Sequence, residues 1–477
     1  MKVIIVGGGT AGWIASYYLS CVKPRNEYIN VSSEEIPIIG VGEGTTGRFV
    51  HEFSKSLYNL NIIELMCNIN ALPKLGIKFK NWTDRGDFYS PIDGTYTHDY
   101  YIDYSSYVSP TSQFSTLMDI NKSNFVLDDD NLYTNIDGHA FHIDAYKTSE
   151  YFRKLSLQNG VRHIEGTVKD FSLNSITLDD GTKLVGDLFV DCSGFSRVLS
   201  QDSGWEDYSK YLPVNSAITF KTSDEERKAY TTAEAMDNGW TWEIPTREKV
   251  GRGYVYCDSF ASQSDIEMEI ENKYGQVEWG KRIPFKSGRL EKFVNGNCVS
   301  IGLSSAFLEP LQATSIHCTL VQLELFVNEF MSDIELLKDE FLVQKYNDMV
   351  AKVYDDMRDF VALHYTGGKS DTEFWRYCMS MDRPDRLKAI LYLAKIRLTR
   401  SFDFDNVVGT VRQESWNPIL AGLGHFPSHT ITSVLSSDGT SEGWWKEQIE
   451  IFEKETKEMV RRNLSPQELN ELIMSLG

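Results

Sequence analysis

Apolar positions fall at two periods along this chain, and the change of period divides it. Short alternating or continuous apolar runs dominate up to about residue 300. Beyond about residue 315, apolar residues recur every three or four positions, the spacing of helices. "MKVIIVGGG" opens with a strand over 2–6 that runs into glycines, a helix is expected over 10–22, and "YINVSS" (28–33) reads as a second strand. In "LGIKFKNW" (75–82) Ile77 and Phe79 share one strand face, and Lys78 and Lys80 the other. Residues 85–138, rich in Asp, Tyr, Ser and Asn, are expected to form a loop-heavy insertion. "TSEYFRKLSLQN" (148–159) has helical spacing, with Thr148 or Ser149 as N-cap. Strands follow from 161 to 184 around a "DDGT" turn, over 215–258 and over 280–290, and "DLFVDCSGF" (187–195) and "GNCVSIG" (296–302) read as buried strands. Helices are expected over 315–332, 335–359, 384–396 and 442–461. In the last, Trp445, Ile449, Phe452 and Met459 fall on one face and read as a core stripe.

The pattern predicts an α/β fold: a nucleotide-binding body over 1–330, β-rich insertions on its substrate side near 72–147 and 201–295, and a helical part over 331–477. The body is discontinuous, with pieces near 1–47, 148–200 and 296–330. Composition narrows the function. With 48 basic against 68 acidic side chains the net charge is −20, which argues against binding nucleic-acid phosphates or an anionic membrane surface. The seven cysteines (Cys21, Cys67, Cys192, Cys257, Cys298, Cys318 and Cys378) are scattered without a C-x-x-C pair, so free thiols in a reducing compartment are expected. There is no run of eighteen apolar residues and no signal-peptide pattern, so the expectation is a soluble cytoplasmic protein. His139, His142, His317 and His364 lack metal-ligand spacing, and no metal is expected.

"VIIVGGGTAGW" holds Gly7-x-Gly9-x-x-Gly12 between a strand and a helix, the context a dinucleotide fingerprint requires. Gly7 permits the tight turn, Gly9 lets a pyrophosphate approach, and Gly12 lets helix and strand pack closely. Thr10 and Ala11 open the helix whose N–H groups would face the phosphates. The ribose partner is expected near the end of the second strand, where "NVSSEE" offers Glu34 or a serine hydroxyl from Ser32 or Ser33. Downstream, "DLFVDCSGFSRVL" and "GNCVSIGLSSAFLEPLQATSI" resemble the flavin-site stretches of FAD monooxygenases, which makes FAD the expected dinucleotide and adds Asp191, Gly302 and Leu303 to its site.

Several ordered stretches then resemble the flavin-dependent halogenases of the tryptophan-halogenase family. They are "GGGTAGW" (7–13), "IPIIGVGEGTT" (36–46), "IKFKNW" (77–82), "FHIDA" (141–145), "DCSGF" (191–195), "GWTWEIP" (239–245), "FLEPLQATSI" (307–316), "HYTGGKSDTEFWR" (364–376) and "SWNPILAGLG" (415–424). The short acidic chain also resembles a phage-encoded member. The resemblance implies halogenation of an aromatic substrate, driven by oxygen and by FADH2 from a separate flavin reductase. It further implies that Lys78 is the catalytic lysine. Gly40, Val41, Gly42 and Glu43 form a strap over the flavin. Trp240, Trp242, Ile244 and Pro310 wall the flavin from the substrate. The N–H groups of Thr314 and Ser315 hold halide. Position 312, a glutamate in the family, is Gln312 here.

Each assignment has a bland competitor. Lys78 alone would read as a solvated strand lysine, and Lys80 on the same face is its alternate. A lysine suits the chemistry because its amine can hydrogen-bond hypohalous acid or, when neutral, form a haloamine. Trp240, Trp242 and Ile244 share one strand face and by themselves read as core. Gln312 keeps hydrogen-bonding capacity but carries no charge and cannot act as a base, which shifts the expectation toward bromide or iodide. Glu309 reads as structural. "HFPSHTITSVLSSDGTSEGWW" is unlike the family's tryptophan-recognising segment and argues against free tryptophan as substrate. A single-component aromatic hydroxylase and a flavoprotein that binds FAD without turnover remain open at this stage. Oligomeric state is not legible.

Overall fold

Lys2–Val6 is a strand because its apolar run is sandwiched on both faces, with Val3, Ile4 and Ile5 fully buried. In the computed structural model, which describes residues 1–36, 42–92, 112–129, 131–172, 174–223, 226–405, 407–427 and 442–476, this strand is central in a six-stranded sheet. The order is Arg162–Glu165, Glu27–Ser32, Lys2–Val6, Leu188–Asp191, Cys298–Ser300 and Val294–Asn295. All neighbours are parallel except the last pair. The chain first builds outward from Lys2–Val6 on one side, then returns to build on the other. The switch therefore falls between Val6 and its register partner Asp191. Ligands bind at such a switch point, beyond the carboxyl ends of the strands.

The second large sheet has seven strands, ordered Glu278–Pro284, Ser216–Lys221, Val250–Tyr256, Gly239–Pro245, Tyr230–Met236, Gly76–Lys80 and Phe88–Pro91. Chain from near 76 and chain from 216–284 thus meet in one sheet, joined by the parallel pairing of Thr232 with Lys78. A small sheet joins three more distant pieces: Ala140–Ile143 lies between Glu43–Gly44 and Leu72–Lys74.

The alternation in 75–82 holds, with Ile77 and Phe79 buried and Lys78 and Lys80 half-exposed. The helix expected from Thr148 starts earlier, at Ala145, because Asp144 caps it by accepting from Lys147 N at 3.1 Å. Thr148 and Ser149 instead turn inward: Ser149 Oγ donates to the Gly8 carbonyl at 2.8 Å and ties this helix to the glycine turn. The described part of 85–138 is more regular than expected. It holds the Phe88–Pro91 strand, a helix Gln113–Asp119 capped by Ser112, and the hairpin of Phe125–Asp128 with Asn131–Thr134.

Helices Thr314–Phe330, Glu340–Leu363, Asp385–Ile396 and Glu442–Met459 stand close to the expected ranges. Glu373–Ser380, Gln413–Gly422 and Pro466–Leu476 are further helices that the periodicity did not predict. They are short, and Gln413–Gly422 contains Pro418. Of the expected stripe, Phe452 is buried and Met459 exposed, while the side chains of Trp445 and Ile449 lie outside the described residues. The helical part shares one core with the body, as Phe326, Tyr354 and Phe360 join Trp13, Leu188 and Trp240 in a continuous apolar cluster. Pro466–Leu476 is bonded back to the body where Arg247 Nε donates to Asn470 Oδ1 at 3.2 Å. The seven cysteines are free thiols. Among the described residues no helix is long and apolar enough to cross a membrane, and no cluster of His, Cys, Asp and Glu has the geometry to hold a metal ion.

Candidate active site

The glycine turn sits at the switch point. Gly7 has φ +137°, and a Cβ there would lie 2.2 Å from the Cys192 carbonyl oxygen. A Cβ on Gly12 would lie 2.1 Å from the Gly7 oxygen. These two glycines are required by packing. Gly9 differs, since a Cβ there would meet nothing within 4 Å. Open space therefore faces the start of the Thr10–Val22 helix, which has no side-chain cap and no acidic residue in its first turn. Free N–H groups facing open space suit an anionic phosphate. Ala11 packs against the turn at Gly302, where φ is +77° and a Cβ would lie 2.7 Å from Ala11 Cβ. Leu303 follows in the same short 3-10 turn. Thr10 Oγ1 is turned to the Ala145 carbonyl.

Asp191 does a different job from the one expected. Its fully buried carboxylate accepts from Ser193 N, Ser193 Oγ, Leu199 N and Ser200 Oγ at 2.6–3.0 Å, so it holds the 193–200 turn rather than facing a ligand. Glu34 projects into solvent 3.9 Å from Arg153, while Ser32 Oγ is hydrogen-bonded to His163 Nε2 at 2.9 Å. Of the strap, Gly40 and Val41 lie outside the described residues. Gly42 packs against Ile244, where a Cβ would lie 3.4 Å from Ile244 Cγ2. Glu43 begins the small sheet opposite Ile143.

The lysines separate sharply. Lys78 points away from the cavity described below. Its Nζ lies 3.7 Å from Asp87 Oδ2 and 5.3 Å from the Tyr89 ring centroid, and its side chain is 25 % exposed. Lys80 is paired with Glu234 at 3.5 Å. Lys74, at the end of the Leu72–Lys74 strand, is 1 % exposed. Its Nζ donates to the Thr45 carbonyl at 3.2 Å, and among the described residues it pairs with no carboxylate. Burial pulls its pKa down to about 7. A Cβ on Gly44 would lie 2.9 Å from Lys74 Nζ and 3.2 Å from Ala313 Cβ, so the amine and the segment after Gln312 converge on one point.

That point opens into a cavity of about 920 Å³ lined by Lys74, Ile77, Gln312, Thr314, His317 and Phe360, with Arg48, Asp137, Arg412 and Glu414 among its charged residues. Ala313 has φ +55° and ψ +43°, a left-handed conformation rare for a side-chain-bearing residue. The turn it makes starts the Thr314–Phe330 helix with no side-chain cap. Thr314 is buried and Ser315 exposed. Gln312 Nε2 lies 2.8 Å from His364 Nε2. His317 is tied at both ring nitrogens, to Thr46 Oγ1 and to the Gly409 carbonyl, each at 3.1 Å.

Trp240, Trp242 and Ile244 are all buried on the Gly239–Pro245 strand. Trp242 fills the space left by Gly253, where a Cβ would lie 2.1 Å from the indole. Trp240 Nε1 donates to Tyr365 Oη at 3.2 Å, and Tyr365 Oη donates to Glu309 Oε1 at 2.5 Å. Burial pushes the Glu309 carboxyl up to about 8. Pro310 is exposed.

A glycine turn at a parallel-sheet switch point, open at Gly9 and leading into an uncapped helix, defines a dinucleotide-binding protein. The family model described as tryptophan halogenase matches residues 2–437. Tryptophan 7-halogenase RebH of Lentzea aerocolonigenes is 30 % identical, over 89 % of this chain and 90 % of its own. Tryptophan 6-halogenase SttH of Streptomyces toxytricini is 31 % identical over 89 % of each chain. The solved structure of Tar14, a tryptophan C-6 flavin-dependent halogenase from taromycin biosynthesis, superposes with a TM-score of 0.90 over 99 % of both chains at 28 % identity. The chain belongs to the tryptophan halogenase family. It is a flavin-dependent halogenase, using FADH2 from a separate reductase, oxygen and halide on an aromatic substrate. The open face at Gly9 and the uncapped helix start fit FAD.

Proposed function

We propose that this enzyme halogenates electron-rich aromatic compounds with hypohalous acid held by the amine of Lys74, and that it uses bromide or iodide in preference to chloride. The single observation carrying this reading is the placement of Lys74: buried, without a carboxylate partner among the described residues, and converging with Ala313 beside Gln312. The role first assigned to Lys78 passes to Lys74, because Lys78 faces Asp87 and Tyr89 instead of the cavity.

Bound reduced FAD supplies, with oxygen and halide, the hypohalous acid. The protein supplies the rest. The N–H groups at Gly9, Thr10 and Ala11 hold the pyrophosphate, and Gly302–Leu303 line the flavin side. The uncapped N–H groups of Thr314 and Ser315 attract halide. Trp240, Trp242 and Ile244 keep the substrate from the flavin, which weighs against a hydroxylase. With a pKa near 7, Lys74 is partly neutral at physiological pH. It can thus donate a hydrogen bond to hypohalous acid or exchange an N–H for an N–halogen bond, releasing water. At position 312 the amide accepts and donates hydrogen bonds but takes no proton. Chemistry that lacks a carboxylate there depends more on the halide's nucleophilicity and on the ring's electron density. Phenols, anilines and indoles are the favoured class.

The test is turnover with a flavin reductase and an aromatic panel, chloride and bromide competing at equal concentration. Brominated product should dominate, and Gln312→Glu should move the ratio toward chloride. Chloride winning in the wild type would refute the halide preference. Hydroxylated product without halide would refute the reaction itself.

A further inference from the structure

Gln312 lines the Lys74 cavity, and the direction of its amide can be deduced from its neighbour. His364 is 1 % exposed, and its Nδ1 lies 2.9 Å from the Phe360 carbonyl oxygen. A carbonyl only accepts, so Nδ1 carries the ring's proton. The rings of Phe79, Trp82 and Phe360 surround the imidazole and carry no ionisable group. Burial pulls its pKa down to about 4, which leaves the ring neutral with a bare lone pair on Nε2. A bare nitrogen can only accept. The Gln312 group 2.8 Å away must therefore be the NH2, and the amide oxygen is turned away from the histidine.

We propose that His364 is a positioning residue: through the Gln312 NH2 it fixes the Gln312 carbonyl oxygen as an acceptor in the cavity that Lys74 enters. The inference rests on the reading of that cavity as the halogenation site. The oxygen would accept from the O–H of hypohalous acid or from the Lys74 amine, and no proton is transferred to it. Glutamine and a neutral histidine form a matched pair. A carboxylate at 312 would set two acceptors face to face unless a further proton were held between it and the ring. His317 on another wall is similarly locked between Thr46 and Gly409, burial pulls both it and His139 down to about 4, and Lys74 is the buried amine of the cavity.

The readout is halogenated product per oxygen consumed, with escaping hypohalous acid trapped by a chromogenic scavenger. His364→Ala should lower coupling about tenfold, the loss of one buried hydrogen bond, and raise the trapped oxidant, with the aromatic KM little changed. His364→Gln offers a carbonyl to the same NH2 and should recover most of the coupling. Equal coupling in wild type and His364→Ala, or equal losses in the Ala and Gln variants, would overturn the proposal. Absence of any wild-type turnover would strike the functional reading instead. The amide direction is decided independently by 15N-labelled histidine spectra, with the His364 signal assigned by its loss in His364→Gln. Wild type should show a neutral Nδ1–H ring at pH 7, with Nε2 unprotonated. A protonated ring, or a neutral Nε2–H ring, in wild type would overturn it.

Discussion

Burial of an amine without a counter-charge has two consequences at the scale of one residue. The first is chemical, since it makes Lys74 a usable nucleophile near neutral pH. The second is thermodynamic. The folded pKa of about 7 lies below the unfolded value of roughly 10.4, so the unfolded chain binds the extra proton between those limits. Stability contributed at this site therefore rises with pH across that window and is lowest below pH 7. Lys74→Met should raise the melting temperature by about 2–5 °C at pH 6, with the gain shrinking toward pH 10. Thermal melts at the two pH values check this, and a gain that is larger at pH 10 would contradict it.

At the scale of elements, much was legible in the sequence. The opening strand and helix follow from an apolar run meeting three spaced glycines, and the alternation in 75–82 set that strand's faces correctly. Lys74 was not legible. It lies in "LPKLG", a three-residue strand with no period to read, whereas "GIKFK" made Lys78 conspicuous. Its burial comes from three segments distant in sequence, 43–44, 72–74 and 140–143, meeting in one small sheet. The bond from Ser149 to Gly8 was hidden for the same reason, and the Gln312–His364 contact spans fifty-two positions.

Two element-scale variants follow. In Gly44→Ala the new methyl would meet the free end of a flexible lysine, so the amine is displaced rather than the backbone. Halogenation should fall about tenfold while FAD affinity stays within twofold, the loss being one oriented hydrogen bond. Unchanged activity in a folded Gly44→Ala protein would separate the amine from the reaction. Gly9→Val places a branched side chain in the open space before the helix N–H groups. FAD affinity, measured by fluorescence titration, should drop at least about a hundredfold, as expected for a blocked phosphate approach. Undiminished affinity would place the phosphates elsewhere.

Across the whole molecule, the two sheets divide the labour. The six-stranded sheet places its switch point at the glycine turn, and the seven-stranded sheet carries the buried Trp240 and Trp242 and the Gly76–Lys80 strand that follows Lys74. The helical part closes the arrangement. Thr314–Phe330 brings its uncapped start to the cavity, and the end of Glu340–Leu363 brings His364 to Gln312. Because both helices belong to the common core, site geometry and global stability are coupled. The central claim is that the oxidant is handed to the substrate by Lys74. The direct measurement compares Lys74→Ala with Lys78→Ala for aromatic product and oxygen uptake under identical FADH2 supply. Lys74→Ala should lose at least about 99 % of product with oxygen uptake retained, consistent with removing a group in direct contact with the reacting species, and Lys78→Ala should stay within about threefold of wild type. Halogenation surviving in Lys74→Ala, or lost only in Lys78→Ala, would contradict the claim.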